Sequence, residues 1–116
     1  MKVIIAGGRD FNDYTLLKEK CDYYLSNSED IEIVSGTAHG ADMLGERYAA
    51  ERGYLVRKFP ADWDRYGKSA GYKRNMQMAM YGDTLIAFWD QKSKGTMNMI
   101  DIANKKGLEV KVVIYE

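Results

Sequence analysis

Five short runs rich in β-branched and aromatic residues alternate along the chain with four stretches whose apolar residues recur every three or four positions. The runs span residues 3–6, 31–34, 54–59, 84–89 and 110–115; four are apolar, and the third is mixed. Clusters such as Val3-Ile4-Ile5, Ile33-Val34 and Val112-Val113-Ile114 lack an alternating polar face, as strands covered on both sides do. Between the runs, Tyr14, Leu17, Cys21 and Leu25 share helical spacing, as do Ala41, Leu44, Tyr48 and Ala49. Tyr72, Met76, Ala79 and Met80 form a third set, and Thr96, Ile100 and Ala103 a fourth. Strict alternation of strand and helix predicts parallel strands joined by right-handed crossovers. The expected fold is therefore α/β, a Rossmann-like three-layer sandwich, with a five-stranded parallel sheet of order 3-2-1-4-5. In that order the winding reverses between the first and fourth strands, and their carboxyl ends open a crevice.

The glycines sort by position. Gly53, Gly82 and Gly107 each close a helical stretch just before a strand, where a left-handed residue commonly ends a helix. Gly7, Gly8, Gly36, Gly40, Gly67, Gly71 and Gly95 instead fall between a strand and the following helix, on the edge where open α/β sheets take ligands. The longest irregular stretch, residues 60–70, carries Asp62, Trp63, Asp64, Arg65, Tyr66 and Lys68. A loop of that length in a compact domain is often functional.

A chain of 116 residues with 46% hydrophobic content fits one domain over residues 1–116 with one ordinary core. Seventeen Lys and Arg balance seventeen Asp and Glu. Zero net charge argues against nucleic acid as the main partner, which usually selects a basic excess. It leaves room for a small anion held by local donors. The single cysteine, Cys21, allows no disulfide framework and no cysteine metal cluster; it reads as a buried thiol. No apolar run is long enough for a signal peptide or a bilayer span, so a cytoplasmic protein without membrane contact is expected. No cofactor or metal is expected.

Four segments carry candidate chemistry. After the first strand, Gly7 and Gly8 permit a sharp turn and close backbone approach, while Arg9 offers a fork suited to phosphate or to a salt bridge with Asp10 or Asp42. After the second, Ser35, Thr37 and the amides around Gly36 and Gly40 could cradle an anion or ribose hydroxyls where Ala41 opens a helix. Asp42, in that first helical turn, would repel phosphate, and so suits a hydroxyl or a neighbouring arginine. His39, the lone histidine, reads as a surface residue. After the fourth strand, Asp90, Ser93, Lys94, Gly95 and Thr96 lead into a helix as a phosphate nest would, with Trp89 available to stack on a base. The spacing is neither that of a P-loop nor GxGxxG. In the long third connection, Trp63, Lys68, Arg74 and Asn75 complete the candidate ligand site. Lys73 and Arg74 are adjacent, so at most one faces it. The methionines at 76, 78, 80, 97 and 99 read as core packing and as a helix-mediated subunit contact.

Together GGRDF, SGTAHGAD, FPADW followed by GK-x-AG-xx-RN, and FWD-xxSKGT resemble the YspA-type branch of the SLOG superfamily. That superfamily also contains the DprA/Smf DNA-processing proteins and the LOG phosphoribohydrolases. The resemblance implies a Rossmann-like fold, a site for nucleotides or ADP-ribose-like derivatives, and a homo-oligomer, either dimer or tetramer. LOG hydrolases are similar at the Gly-Thr of PGGxGTxxE, which falls on Gly95-Thr96, but their glutamate would fall on Met99. A thioether cannot act as that carboxylate. The leading expectation is a nucleotide-like small molecule bound by a sensor, carrier or sequestering protein. The alternative is a nucleoside 5′-monophosphate phosphoribohydrolase, with Asp10, Asp42 or Asp90 supplying the carboxylate; no catalytic residue is assigned. A phosphoryl-accepting receiver domain is excluded: strand one ends in Ala6-Gly7-Gly8 rather than in acids, and strand three ends in Phe59-Pro60.

Overall fold

The computed structural model describes all of residues 1–116. Five strands, β1 (Lys2–Gly7), β2 (Glu32–Ser35), β3 (Leu55–Lys58), β4 (Thr84–Trp89) and β5 (Glu109–Ile114), form one sheet. Its order is β3-β2-β1-β4-β5, and every pairing is parallel. Ile5 lies beside Ile86 and Gly7 beside Phe88, so the carboxyl ends of β1 and β4 adjoin, as the alternation predicts. The helices are α1 (Tyr14–Tyr24), α2 (Ala41–Arg52), α3 (Trp63–Tyr66), α4 (Ala70–Tyr81) and α5 (Lys94–Lys105).

Side chains of successive strand residues point to opposite faces, and the core divides accordingly. Val3, Ile5, Ile33, Ile86 and Phe88 pack with Leu17, Cys21, Tyr48 and Ala49 of α1 and α2. Ile4, Ala6, Val34, Leu85 and Ala87 pack with Met78, Ala79, Met99 and Ala103 of α4 and α5. The result is the expected three-layer sandwich. Cys21 is fully buried, and burial pushes its thiol up to about 12.

Four expectations are corrected. Gly53 and Gly107 do take left-handed conformations, at φ +73° and +79°, but Gly82 is extended at φ −82°, ψ 164°. Gly82 is needed for packing instead: a Cβ there would lie 2.8 Å from Ile4. Residues 60–70 are irregular only over Pro60 to Asp62. Asp62 caps α3 by accepting from the Arg65 amide at 3.2 Å, and a 3₁₀ turn, Gly67–Ser69, joins α3 to α4. Of the apolar stripe read on α4, only Ala79 is buried; Tyr72, Met76 and Met80 are exposed, and the buried face is Ala70, Asn75, Met78 and Ala79. Burying the polar Asn75, which makes three hydrogen bonds, rotates the helix off its most hydrophobic stripe. Only Met78 and Met99 of the five methionines named are core residues; Met76, Met80 and Met97 are exposed.

Candidate functional site

Where the winding reverses, the loops after β1 and β4 splay apart over the start of α4. They enclose a cleft of about 440 Å³. Its floor is apolar, formed by Ala6 of β1, Met78 of α4 and Met99 of α5. Its walls bring together Gly7, Gly8, Arg9, Asp10, Asp42, Trp63, Lys68, Arg74, Asn75, Ser93, Gly95 and Thr96, all expected from the sequence.

The start of α5 forms the first wall. Ser93 caps the helix by accepting from the Thr96 amide at 3.3 Å, and its hydroxyl pairs with that of Thr96 at 3.1 Å. The Lys94 and Gly95 amides make no hydrogen bond within the protein. Helix starts carry partial positive charge on such groups, and the first turn of α5 has no acidic residue to offset it. The turn before the helix is held from behind. Asp90 accepts from the Lys92 and Ser93 amides, each at 2.8 Å, and those two bonds hold its carboxyl below the usual range. The Trp89 indole donates to the Ser93 carbonyl at 3.1 Å. Trp89, Asp90 and Lys94 therefore shape or flank this wall without lining the cleft.

Across the cleft, the loop after β2 behaves differently from the expected anion cradle. The Thr37 amide donates to Ser35 Oγ at 3.1 Å, and the Ala38 amide to Asp42 Oδ2 at 3.1 Å. The Ala41 amide donates to the Gly8 carbonyl at 3.2 Å. These donors are internally satisfied. Ser35 itself is buried and donates to Glu46 at 2.6 Å, so Ser35, Gly40 and Ala41 are framework. Thr37 has φ +64°, an unusual conformation for a β-branched residue and a local strain.

Charged groups stand between the walls. The Arg74 guanidinium donates to the Gly36 carbonyl and, through Nε, to Asn75 at 3.0 Å. Asn75 in turn donates to the Gly95 carbonyl at 3.3 Å and to Asn98 at 3.0 Å, which ties Arg74 to the start of α5. Burial lowers the Arg74 pKa, yet a guanidinium stays protonated. Asp42 is 5% exposed, and desolvation raises its pKa to about 6, against opposing pulls from the Ala38 amide and Arg74. Neither Arg9 nor Arg74 has a carboxylate oxygen within 4.0 Å. The salt bridge considered for Arg9 is thus not formed; its guanidinium lies 5.7 Å from the half-exposed Trp63 ring. Asp10 accepts from the Tyr115 hydroxyl at 3.0 Å. Of the adjacent pair on α4, Arg74 faces the cleft while Lys73 sits over Tyr66.

Sequence reasoning missed Ala6, Ala38, Gly71, Tyr72, Met78 and Met99 as lining residues. The period of two along β1 places Ala6 on the face of Ile4, which would have marked the floor.

The sequence profile of the YspA, cpYpsA-related SLOG family matches residues 1–66. The chain belongs to this family. It is also 34% identical over 116 residues to the Gene 61 protein of Mycobacterium phage D29, across 94% of this chain and 93% of that one. Among solved structures, this SLOG chain is similar to DNA processing protein A (DprA) of Streptococcus pneumoniae, with TM-score 0.76 and 18% identity over 99% of its length. It is likewise similar to DNA processing protein A of Helicobacter pylori, with TM-score 0.71 and 21% identity over 100% of its length. The SLOG chain spans 50% of the first protein and 66% of the second, so the likeness establishes a shared fold. The Helicobacter structure describes a single-stranded DNA binding mode. That finding overturns the expectation drawn from balanced charge that nucleic acid is not a main partner. Net charge averages over the whole surface and is blind to a local strip of donors. No helix is long and apolar enough to cross a membrane.

Proposed function

We propose that residues 1–116 act as one domain that binds a phosphate-bearing nucleotide unit in this cleft. The phosphate sits against the Gly95 amide and between Arg9 and Arg74, and the base lies toward Trp63. One observation carries the reading: an amide at the start of α5 that has no acceptor in the protein lines the same cleft as two guanidiniums that have no carboxylate partner. Oriented amides and planar guanidiniums are the groups that hold phosphate most directionally. The half-exposed indole of Trp63 supplies a stacking surface at the mouth, and the apolar floor excludes water beneath it.

The protein functions as a sensor, carrier or sequestering protein for such a ligand. Binding is favoured over hydrolysis because Met99, at the position of the LOG glutamate, is 1% exposed on the cleft floor and has no proton to exchange. A second reading, in which the nucleotide belongs to single-stranded DNA, is supported by the Helicobacter protein of the same fold. Calorimetric titration with AMP and with a short oligothymidylate tests both. Saturable binding that Gly95→Asp weakens about 100-fold is expected for at least one of them. Absence of heat with either probe at millimolar concentration ends the reading.

A further inference from the structure

A second hollow of about 310 Å³ opens beside the cleft. Gly36, Thr37, Ala38 and His39 of the β2–α2 loop line one side, and Pro60 and Ala61 ahead of α3 line the other. The two spaces adjoin: Arg9, Ala38, Trp63 and Arg74 border both. The boundary is where positive charge concentrates. Arg9 stands over Trp63, and Arg74 donates to the Gly36 carbonyl. A Cβ on Gly36 would lie 2.8 Å from both the Arg74 guanidinium and the Asp42 carboxylate, so the loop passes close to both charged groups.

Resting on the reading that the first cleft holds a nucleotide unit, we infer that the hollow is a second subsite for a ligand made of two ring-bearing units joined through phosphate. One unit fills the cleft between Trp63 and the α5 start. The bridging phosphate lies between Arg9 and Arg74. The other unit rests against the 36–39 loop and Ala61. Three features support this division. A single nucleotide leaves the hollow empty, both guanidiniums lie where a bridge crosses from one space to the other, and the outer walls of the hollow hold no carboxylate. The strained Thr37 backbone is part of that wall, held there by Ser35 Oγ. The same chemistry occurs in a free pyrophosphate-linked nucleotide sugar or dinucleotide and in two successive nucleotides of a single strand.

The test compares AMP, ADP-ribose and the dinucleotide d(TpT) by calorimetry on the wild-type chain and on Ala61→Trp, which fills the hollow from its far wall. At least one bridged probe should bind roughly tenfold or more tighter than AMP. In Ala61→Trp that advantage should vanish while AMP affinity stays within about twofold. His39→Trp, at an exposed position of the opposite wall, gives the same readout should Ala61→Trp fold poorly. Preference for ADP-ribose identifies the free ligand as the source; preference for d(TpT) identifies the strand. Equal affinity for AMP and both bridged probes overturns the second subsite and leaves the first cleft standing, as does an advantage that survives both substitutions. Failure of AMP and both bridged probes to bind removes the nucleotide reading and this inference with it.

Discussion

At the start of α2, Gly40 has φ +79°, and a Cβ on it would come 2.2 Å from the Gly8 carbonyl oxygen; at the start of α5, a Cβ on Gly95 would meet nothing within 4 Å. Both glycines open a helix beside the same cleft. Around Gly40 the amides of Thr37, Ala38 and Ala41 are taken by Ser35, Asp42 and Gly8, and the Asp42 carboxylate in the first turn of α2 offsets the Asp42 and Met43 amides that have no acceptor. Around Gly95 the amides of Lys94 and Gly95 have no acceptor in the protein. The first glycine lets two loops interlock, and the second leaves a donor surface open. Glycine at a helix start on the sheet's carboxyl edge is therefore ambiguous until the space around it is known.

The contrast makes opposite demands on substitution. Gly40→Ala forces a side chain into a left-handed backbone and against the Gly8 carbonyl; unfolding free energy should fall by about 3 kcal/mol or more. Denaturant titration measures it, and a loss below about 1 kcal/mol would mean that the two loops are not interlocked. Gly95→Asp should leave the denaturation midpoint nearly unchanged, because its side chain has open space. It should nonetheless weaken nucleotide binding about 100-fold, near 2.7 kcal/mol, by placing negative charge at the phosphate position. Gly95→Ala is the matched control and should change little in either measurement. Arg9→Ala should cost about 1.5–3 kcal/mol of binding, the range for a hydrogen bond to a charged group, with no loss of fold. A binding change of a few tenths would reassign Arg9 to its contact with Trp63.

The smallest expected effect is one of pH. Asp42 titrates near 6 because burial disfavours its anion, so it is neutral below that value and charged above it. A carboxylate beside Arg74 competes with an anionic ligand for the same positive field. Affinity for ADP-ribose, whose bridging phosphates keep their charge over this range, should thus fall as pH rises from 5 to 7.5, by about threefold to tenfold. Asp42→Asn should flatten the profile. Affinity that rises with pH would place Asp42 on a ligand hydroxyl or cationic group instead.

Much of the fold is legible in the sequence because the burial of whole strands leaves an unbroken apolar signature, as at Val3-Ile4-Ile5. Topology then followed from alternation, and the crevice from topology. On α4 the apolar period points to a largely exposed face, because hydrophobicity alone does not weigh a buried asparagine with three partners against exposed methionines. The helix at Trp63 escaped notice because four residues are too few for a period to show; its signal was the Asp62 cap. Spacing offers Trp89 and Asp90 as ligand groups because it cannot tell a side chain facing the cleft from one that pins the turn behind it, and neither lines the cleft. The role of Gly82 turns on Ile4, 78 positions away in sequence, a contact no local pattern contains.

The decisive measurement is a titration of isotope-labelled protein with AMP, followed through backbone amide shifts. With phosphate at the start of α5, the largest displacements fall on Lys94 and Gly95, and Thr37 and Ala38 move less because their amides are already bonded within the protein. Displacements that centre on the 36–41 loop while Gly95 stays in place would contradict an open donor site at α5 and transfer the phosphate to the start of α2.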